Sequence, residues 1–358
     1  MLKHLDWYII KKYLGTFALS IVLIISISVI FDFTEKVDDF MENNAPVEAI
    51  IFDYYLNFIP FFTNMFTPLF AFISVIFFTS KLANNSEIIA MLAGGMSFRR
   101  LMHPYMISAG LIALFSFVLM SFVIPPANRV RLEFEDQYVS KFKSEVARNV
   151  QLEIEPGIIA YFGRYEEARA TGRNFSLEKF DGKMLVSRLT AQEIVMDSLY
   201  HWTVKDYLIR DFDGMYERMR KGEQLDTVIH MDPADFFITA KEAAQMSTPQ
   251  LRQYIDKRKE RGLGNTQAFE DEYHKRYSTP LSALILTLIG VSLSSRKVCG
   301  GMGVNIGIGI TLSALYILFT TFSSQLSIAG SMNPLLAVWL PNLLFLAIGL
   351  YLYYKAPK

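Results

Sequence analysis

Charge-free apolar runs recur along this chain, and they limit what it can fold into more than any other feature. Residues 13–31, 54–80, 101–124, 278–293, 304–323 and 334–354 contain no Asp, Glu, Lys or Arg. A helix needs roughly 20 apolar residues to cross about 30 Å of hydrocarbon, and each run comes close to that or exceeds it. In lipid the backbone must satisfy its own polar groups, so each run is expected to be a membrane-spanning helix. The first run could pass for a secretory leader. It is longer than a leader's apolar region, however, and no small-residue cleavage site follows it, so it is expected to stay as the first span. The second contains Pro60 and Pro68, with Thr63, Asn64 and Thr67 near enough to serve the freed carbonyls, and a kinked helix is expected. The third is expected to end at Pro125-Pro126. The fourth is the shortest and has Pro280 in its first turn.

Whole-chain composition blurs this pattern. Of 358 residues, 52% are hydrophobic and 20% charged, with a formal net charge of zero. That average mixes the apolar runs with a stretch of ordinary soluble composition between the third and fourth. Zero net charge removes the global basic field that nucleic-acid binding requires, so no nucleic-acid partner is expected. The single cysteine, Cys299, cannot form an internal disulfide and reads as inert. The five histidines are scattered without metal-ligand spacing, and no zinc site is expected.

Basic flanks set the orientation. Lys3, Lys11 and Lys12 precede span one, Lys81, Arg99 and Arg100 follow span two, Arg296 and Lys297 follow span four, and Lys355 and Lys358 end the chain. All of them fall on the cytoplasmic side if both termini are cytoplasmic. The acidic stretch after span one (Asp32, Glu35, Asp38, Asp39, Glu42, Glu48) is then a loop on the outer side, as is the large insertion. Within that insertion, Pro156-Gly157, Asp181-Gly182 and Asp213-Gly214 punctuate alternating apolar segments. Asp-Gly between such segments marks hairpins, and an antiparallel sandwich or roll is expected. Ser247 or Thr248 then caps a helix with Pro249 in its first turn, ending near Gly262. A second polar helix, about 266–277, leads into span four. Expected boundaries are 1–128 for the first three spans, 129–246 for the β-domain, 247–277 for connecting helices and 278–358 for the last three spans.

The segment between spans two and three carries the most information. Asn84 is placed to cap a short helix with Glu87 at its third position, and Gly94-Gly95 to end it, giving a cytoplasmic rod over about 84–95. A helix this short is unstable alone, so Ile88, Ile89, Met91 and Leu92 need burial. Two readings are open: a rod gripped by a soluble partner, or an interfacial helix lying on lipid. In span five, Gly303 and Gly307 form a small-xxx-small face suited to close helix contact, whether a moving gate or static packing. Lys36, and beyond span three Arg129, Arg131, Lys141 and Lys143, are candidates for phosphate contact, although interleaved carboxylates also allow a solvated charged face. Pairs such as Asp211 and Asp213, or Glu166 and Glu167, read as ordinary turn residues. No carboxylate or lysine is evident inside a span to mark an ion path, no Ser/His/Asp set can be assembled, and there is no G-x-x-x-x-G-K-[ST] phosphate loop.

The chain resembles the LptF/LptG family, the permease subunits of the lipopolysaccharide export ABC transporter. The likeness rests on three spans, a β-domain and three further spans. It rests also on Glu87-x-x-x-Met91-x-Ala93-x-Gly95-x-Ser97, which is similar to the family's coupling helix, and on the basic aromatic start Tyr8-Ile-Ile-Lys-Lys-Tyr13. The resemblance implies a membrane α-helical protein of six transmembrane helices, both termini cytoplasmic, with an inserted periplasmic antiparallel β jellyroll-like domain. It further implies a Gram-negative inner-membrane location and a non-catalytic role, with no cofactor in this chain. The implied partners are an ABC ATPase dimer that binds the ATP, a second permease subunit of the same family, a periplasmic bridge protein of the LptC/LptA type, and lipopolysaccharide itself. Glu87, Met91, Ala93, Gly95, Ser97, Arg99 and Arg100 would face the ATPase, and Gly303 and Gly307 would lie in a lateral gate. The family's basic clamp at the outer end of span one is not matched here, since that stretch is acidic apart from Lys36. Rival readings are a lipoprotein-release or mechanotransmission permease, a membrane-bound enzyme, or a non-transporting anchor. The first of these usually places its large domain after span one.

Overall fold

A computed structural model describes residues 4–139, 146–166, 169–182, 184–214, 216–231, 240–260, 266–295 and 301–356. Lys3, Lys141, Lys143, Arg296, Lys297, Cys299 and Lys358, and the helix end expected near Gly262, lie outside the described residues. The chain divides into two compact units. One comprises Met1–Val139, Ala243–Leu251 and Gln267–Lys358; the other comprises Ser140–Glu242 and Arg252–Thr266.

The first unit contains, among the described residues, six helices long and apolar enough to cross a membrane. Each expected run lies inside one of them, but several helices extend well past the apolar run. α1 (His4–Glu42) has 39 residues, about 58 Å at 1.5 Å per residue. It thus carries most of the acidic stretch expected as a loop as additional helical turns, and only residues 43–46 link it to the next span. The second span is built of α2 (Val47–Ala49), a π-helical turn (Ile50–Tyr55) and α3 (Leu56–Asn84). α4 (Glu87–Ala93) follows. The third span joins α5 (Phe98–Val118), a second π-helical turn (Leu119–Val123) and α6 (Ile124–Tyr138). It therefore does not stop at Pro125-Pro126. Proline is tolerated in a helix's first turn, where no amide hydrogen bond is due, and the widened turn just before the pair puts them there.

The last three spans are α9 (Gln267–Ser294), α10 (Gly301–Ile328) and α11 (Pro334–Lys355), the last capped by the Asn333 side chain on the Leu335 amide. The polar helix expected at 266–277 and span four are a single helix, which continues through Pro280. α9 is central, packing on α3, α5, α10 and α11. Lipid offers no hydrophobic drive between helices, so small residues and polar pairs hold such bundles. At Gly290 of α9 a Cβ would come within 3.2 Å of the Phe72 ring and closer still to Val75. Tyr13 donates to the Ala71 carbonyl at 3.2 Å and shares a 2.8 Å hydrogen bond with Thr287, joining α1 to α3 and α9. Asn305 donates to Ser80 at 3.2 Å, and Tyr316 donates to Asn342, which donates to the Ser278 carbonyl, both at 2.8 Å.

The second unit holds β1 (Val146–Glu155), β2 (Ile158–Glu166), β3 (Thr171–Asp181), β4 (Met184–Ser198), β5 (His201–Asp213) and β6 (Tyr216–Val228). They form one antiparallel sheet in which each strand pairs with its sequence neighbours. The three expected turns are present, with Gly157, Gly182 and Gly214 at positive φ. One row crosses the buried face: Phe162 opposite Phe175, then Ala191, Tyr207 and Gly222. A Cβ at Gly222 would lie 2.6 Å from the Tyr207 hydroxyl, so the glycine lets that ring lie over β6 as it does. Inward alternation shifts by one residue beside this row, from Ala191 to Ile194 and from Val204 to Tyr207. Asn174 and Asp206 take left-handed φ of 53° and 51° along this crease, and β4 and β5 keep their register through it. The sheet thereby bends around a core that includes Phe162, Tyr165, Phe175 and Trp202. On its exposed side, the Lys205 hydrogen bond holds the Glu193 carboxyl below the usual range, and bonds from Ser187 and Arg220 do the same for Asp211.

α7 (Ala240–Ala243) and α8 (Thr248–Glu260) lead back toward α9. Ser247 caps α8, its amide and hydroxyl bonding the Gln250 side chain at 3.0 and 2.8 Å.

Candidate functional site

α4 and the turns around it place most of the expected partner-facing residues together. Asn84 does not cap α4; it ends α3, and Ser86, at a left-handed φ of 61°, turns the chain so that Glu87 opens α4. The expected glycine terminator is present. Gly95 has a φ of 85°, its amide bonds the Leu92 carbonyl at 3.0 Å, and Met96 bonds the Met91 carbonyl at 3.2 Å. These are the paired bonds of a Schellman ending. Ser97 then caps α5 on the Arg100 amide.

The helix so fixed has two faces. Ile88 is fully buried, and Met91 and Leu92 pack beside it on the core of the spans. On the other side Ile89 is 50% exposed, next to open Ala90, Ala93, Gly94 and Gly95. Glu87 is half-buried and accepts from Asn85 at 3.1 Å. Ser97 and Arg99 are exposed, whereas Arg100 turns inward to the Asp6 carboxylate of α1 at 2.5 Å. Of the seven expected contact residues, then, Ala93, Gly95, Ser97 and Arg99 lie on open surface and Glu87 at its margin. Met91 and Arg100 point into the chain. Phe98 and Tyr353 meet with ring centroids 5.7 Å apart, so the start of α1, α4 and the end of α11 share one end of the bundle.

The expected phosphate contacts lie at the opposite end. Lys36 pairs with Asp32 at 3.1 Å and Glu135 at 3.3 Å and also bonds the Tyr54 hydroxyl. Arg131 reaches the same Glu135 at 3.5 Å and lies over the Phe61 ring. Two cations thus meet two carboxylates, and an incoming anion would have to displace those carboxylates. Arg129 is exposed on α6 and is not part of this set.

Gly303 and Gly307 are exposed on α10, with nothing among the described residues within 4 Å of the place a Cβ would occupy. The close approach within the chain is made by Gly309, which meets Ile76. The small-residue face is left free.

Two features were missed in the sequence. The first is a buried ionic cluster at the start of α9. Asp271 bonds Lys275 at 2.8 Å and Ser324 of α10 at 2.5 Å. Arg276, fully buried, reaches Glu272 at 3.2 Å, Thr248 at 3.0 Å, and the Ala243 and Met246 carbonyls at 3.1 and 2.8 Å. The spacing of Asp271 to Lys275 and of Glu272 to Arg276 was the available signal. The second is a cavity of about 300 Å³ lined by apolar residues such as Phe61, Met65 and Ile317 and by polar ones such as Asn128, Lys275 and Thr320. The Asn128 Oδ1 is buried and has no hydrogen-bond partner among the described residues. Among the described residues no group of three His, Cys, Asp or Glu is placed to hold a metal ion.

A family model described as "Lipopolysaccharide export system permease LptF/LptG" matches residues 7–355. No curated protein matches the chain.

Proposed function

The chain belongs to the LptF/LptG family of lipopolysaccharide export permeases, and from that premise we propose that it is one half of an ATP-driven pump that extracts the lipid from the inner membrane. A separate cytoplasmic ATPase grips the open face of α4. A second permease of the same family packs against this one, and the β-domain stands in the periplasm and passes lipid to a bridge protein. The observation that carries this reading is the build of α4. Its two ends are fixed by left-handed turns and one face is anchored by Ile88, while Ile89, Ala90 and Ala93 stay open to a partner. The sequence supports the division of labour, since it has no phosphate loop of its own.

In this scheme nucleotide-driven closure of the ATPase pushes on α4, and the push passes through Ile88, Met91 and Leu92 into the packed spans. The cavity beside Phe61 and Met65 is lined by both apolar and polar side chains, the combination an amphiphile requires. Sheltering acyl chains during transfer is worth roughly 0.8 kcal/mol per methylene kept from water. The test is Glu87→Lys. Expected is a protein that folds and inserts normally while lipopolysaccharide export is lost. Normal export by that variant would remove α4 from the mechanism.

A further inference from the structure

An ion pair joins the start of α5, just after α4, to the first turn of the first span. Asp6 stands in the first turn of α1 and is 3% exposed, and Arg100 stands in the first turn of α5, three residues after the Ser97 cap. They are 94 positions apart in sequence and meet at 2.5 Å. A cation in a first helical turn is opposed by the helix dipole, whereas a carboxylate there is favoured. Arg100 therefore gains by turning toward Asp6, and Asp6 satisfies its own helix and the guanidinium at once. Below Asp6, α1 buries Ile9, Ile10, Tyr13, Phe17, Ile21 and Ile25, apolar contact apart from the Tyr13 hydroxyl's bonds to Ala71 and Thr287. The pair of a half-buried guanidinium and a buried carboxylate fixes the register further, because slippage by one turn would separate them.

We infer that Asp6 and Arg100 are positioning residues that deliver movement of α4 and the start of α5 to α1. This inference rests on the function proposed above. Arg100, expected from the sequence to face the ATPase, acts instead inside the chain, through Asp6. Because α1 is the span least buried in its own subunit, it is the span a small displacement can swing most readily.

The experiment uses the intact complex, with this chain, its ATPase and the second permease, in proteoliposomes. ATP hydrolysed and lipopolysaccharide released to a soluble acceptor are measured together for wild type, D6N, R100Q and the exchange D6R/R100D. Expected is a fall in lipid released per ATP of about fivefold or more for D6N and R100Q, the low end of measured site-to-site couplings. The exchange should recover most of that ratio. A purely structural role would lower hydrolysis and release in proportion, and an unchanged ratio would overturn the inference. Should a single variant fail to assemble, the exchange decides: recovery of the ratio supports the pair, and an assembled exchange with a low ratio contradicts it. A wild-type complex that neither binds an ATPase nor releases lipid would instead defeat the proposed function itself.

Discussion

α9 and α1 belong to one bundle, yet they are built on opposite plans. In its most apolar window α9 has 67% of its residues buried inside the subunit, and α1 has 17%. α9 brings Gly290 against Phe72 and Val75, Thr287 against Tyr13, and a buried Arg276 that ties three backbone or hydroxyl groups of the returning segment. α1 touches its neighbours along a narrow stripe and otherwise presents residues such as Leu19, Val22 and Leu23 to the outside. α10 resembles α1, with 22% buried and an open glycine face. A span filled on all sides works as a fixed post. One held along a stripe is free to tilt or to meet another subunit, and α10 carries the two glycines that the family resemblance places in a lateral gate.

That contrast can be broken first at Arg276. Arg276→Met leaves Glu272 without its partner and strands the Ala243 and Met246 carbonyls. Expected is a loss of about 3–5 kcal/mol, the usual consequence of removing one member of a buried pair, read by thermal unfolding in detergent. A loss no greater than that of a surface substitution would show that α9 is not the post.

A smaller effect sharpens the same contrast between two glycines. Gly290→Val drives a side chain into Val75 and the Phe72 ring and should cost about 1–3 kcal/mol in the isolated subunit. Gly303→Val meets open space and should change that stability by less than about 0.5 kcal/mol. Its effect is expected in co-purification with a second permease. If the two variants unfold alike, or if Gly303→Val leaves pairing intact, the distinction between filled and open spans is wrong at that position.

Legibility in the sequence followed the range of the interactions. The spans could be read because lipid excludes charge, so each declares itself in one uninterrupted run. Their ends could not, because a helix that leaves the membrane and continues has the same polar composition as a loop. Hence α1 runs on to Glu42 and the third span to Tyr138. The hairpins at Gly182 and Gly214 were announced by local turn chemistry. Strand order was not, since pairing depends on partners far along the chain, and the crease at Asn174 and Asp206 breaks the alternation that sequence reading relies on. The glycine end of α4 was legible for the same local reason, but its start was not, because Ser86 takes a left-handed conformation with no glycine to mark it. The pairing of Arg100 with Asp6, and of Lys36 and Arg131 with one glutamate, was beyond reach. Those contacts are decided by which helices pack together.

The most direct measurement places a photo-crosslinking residue at Ile89, on the open face of α4, in cells carrying the complete transport system. Illumination should join this chain to a cytoplasmic nucleotide-binding subunit, with a control probe at buried Ile88 capturing none. Capture of lipid alone at Ile89, or of a periplasmic protein, would contradict a force-receiving helix on the cytoplasmic side.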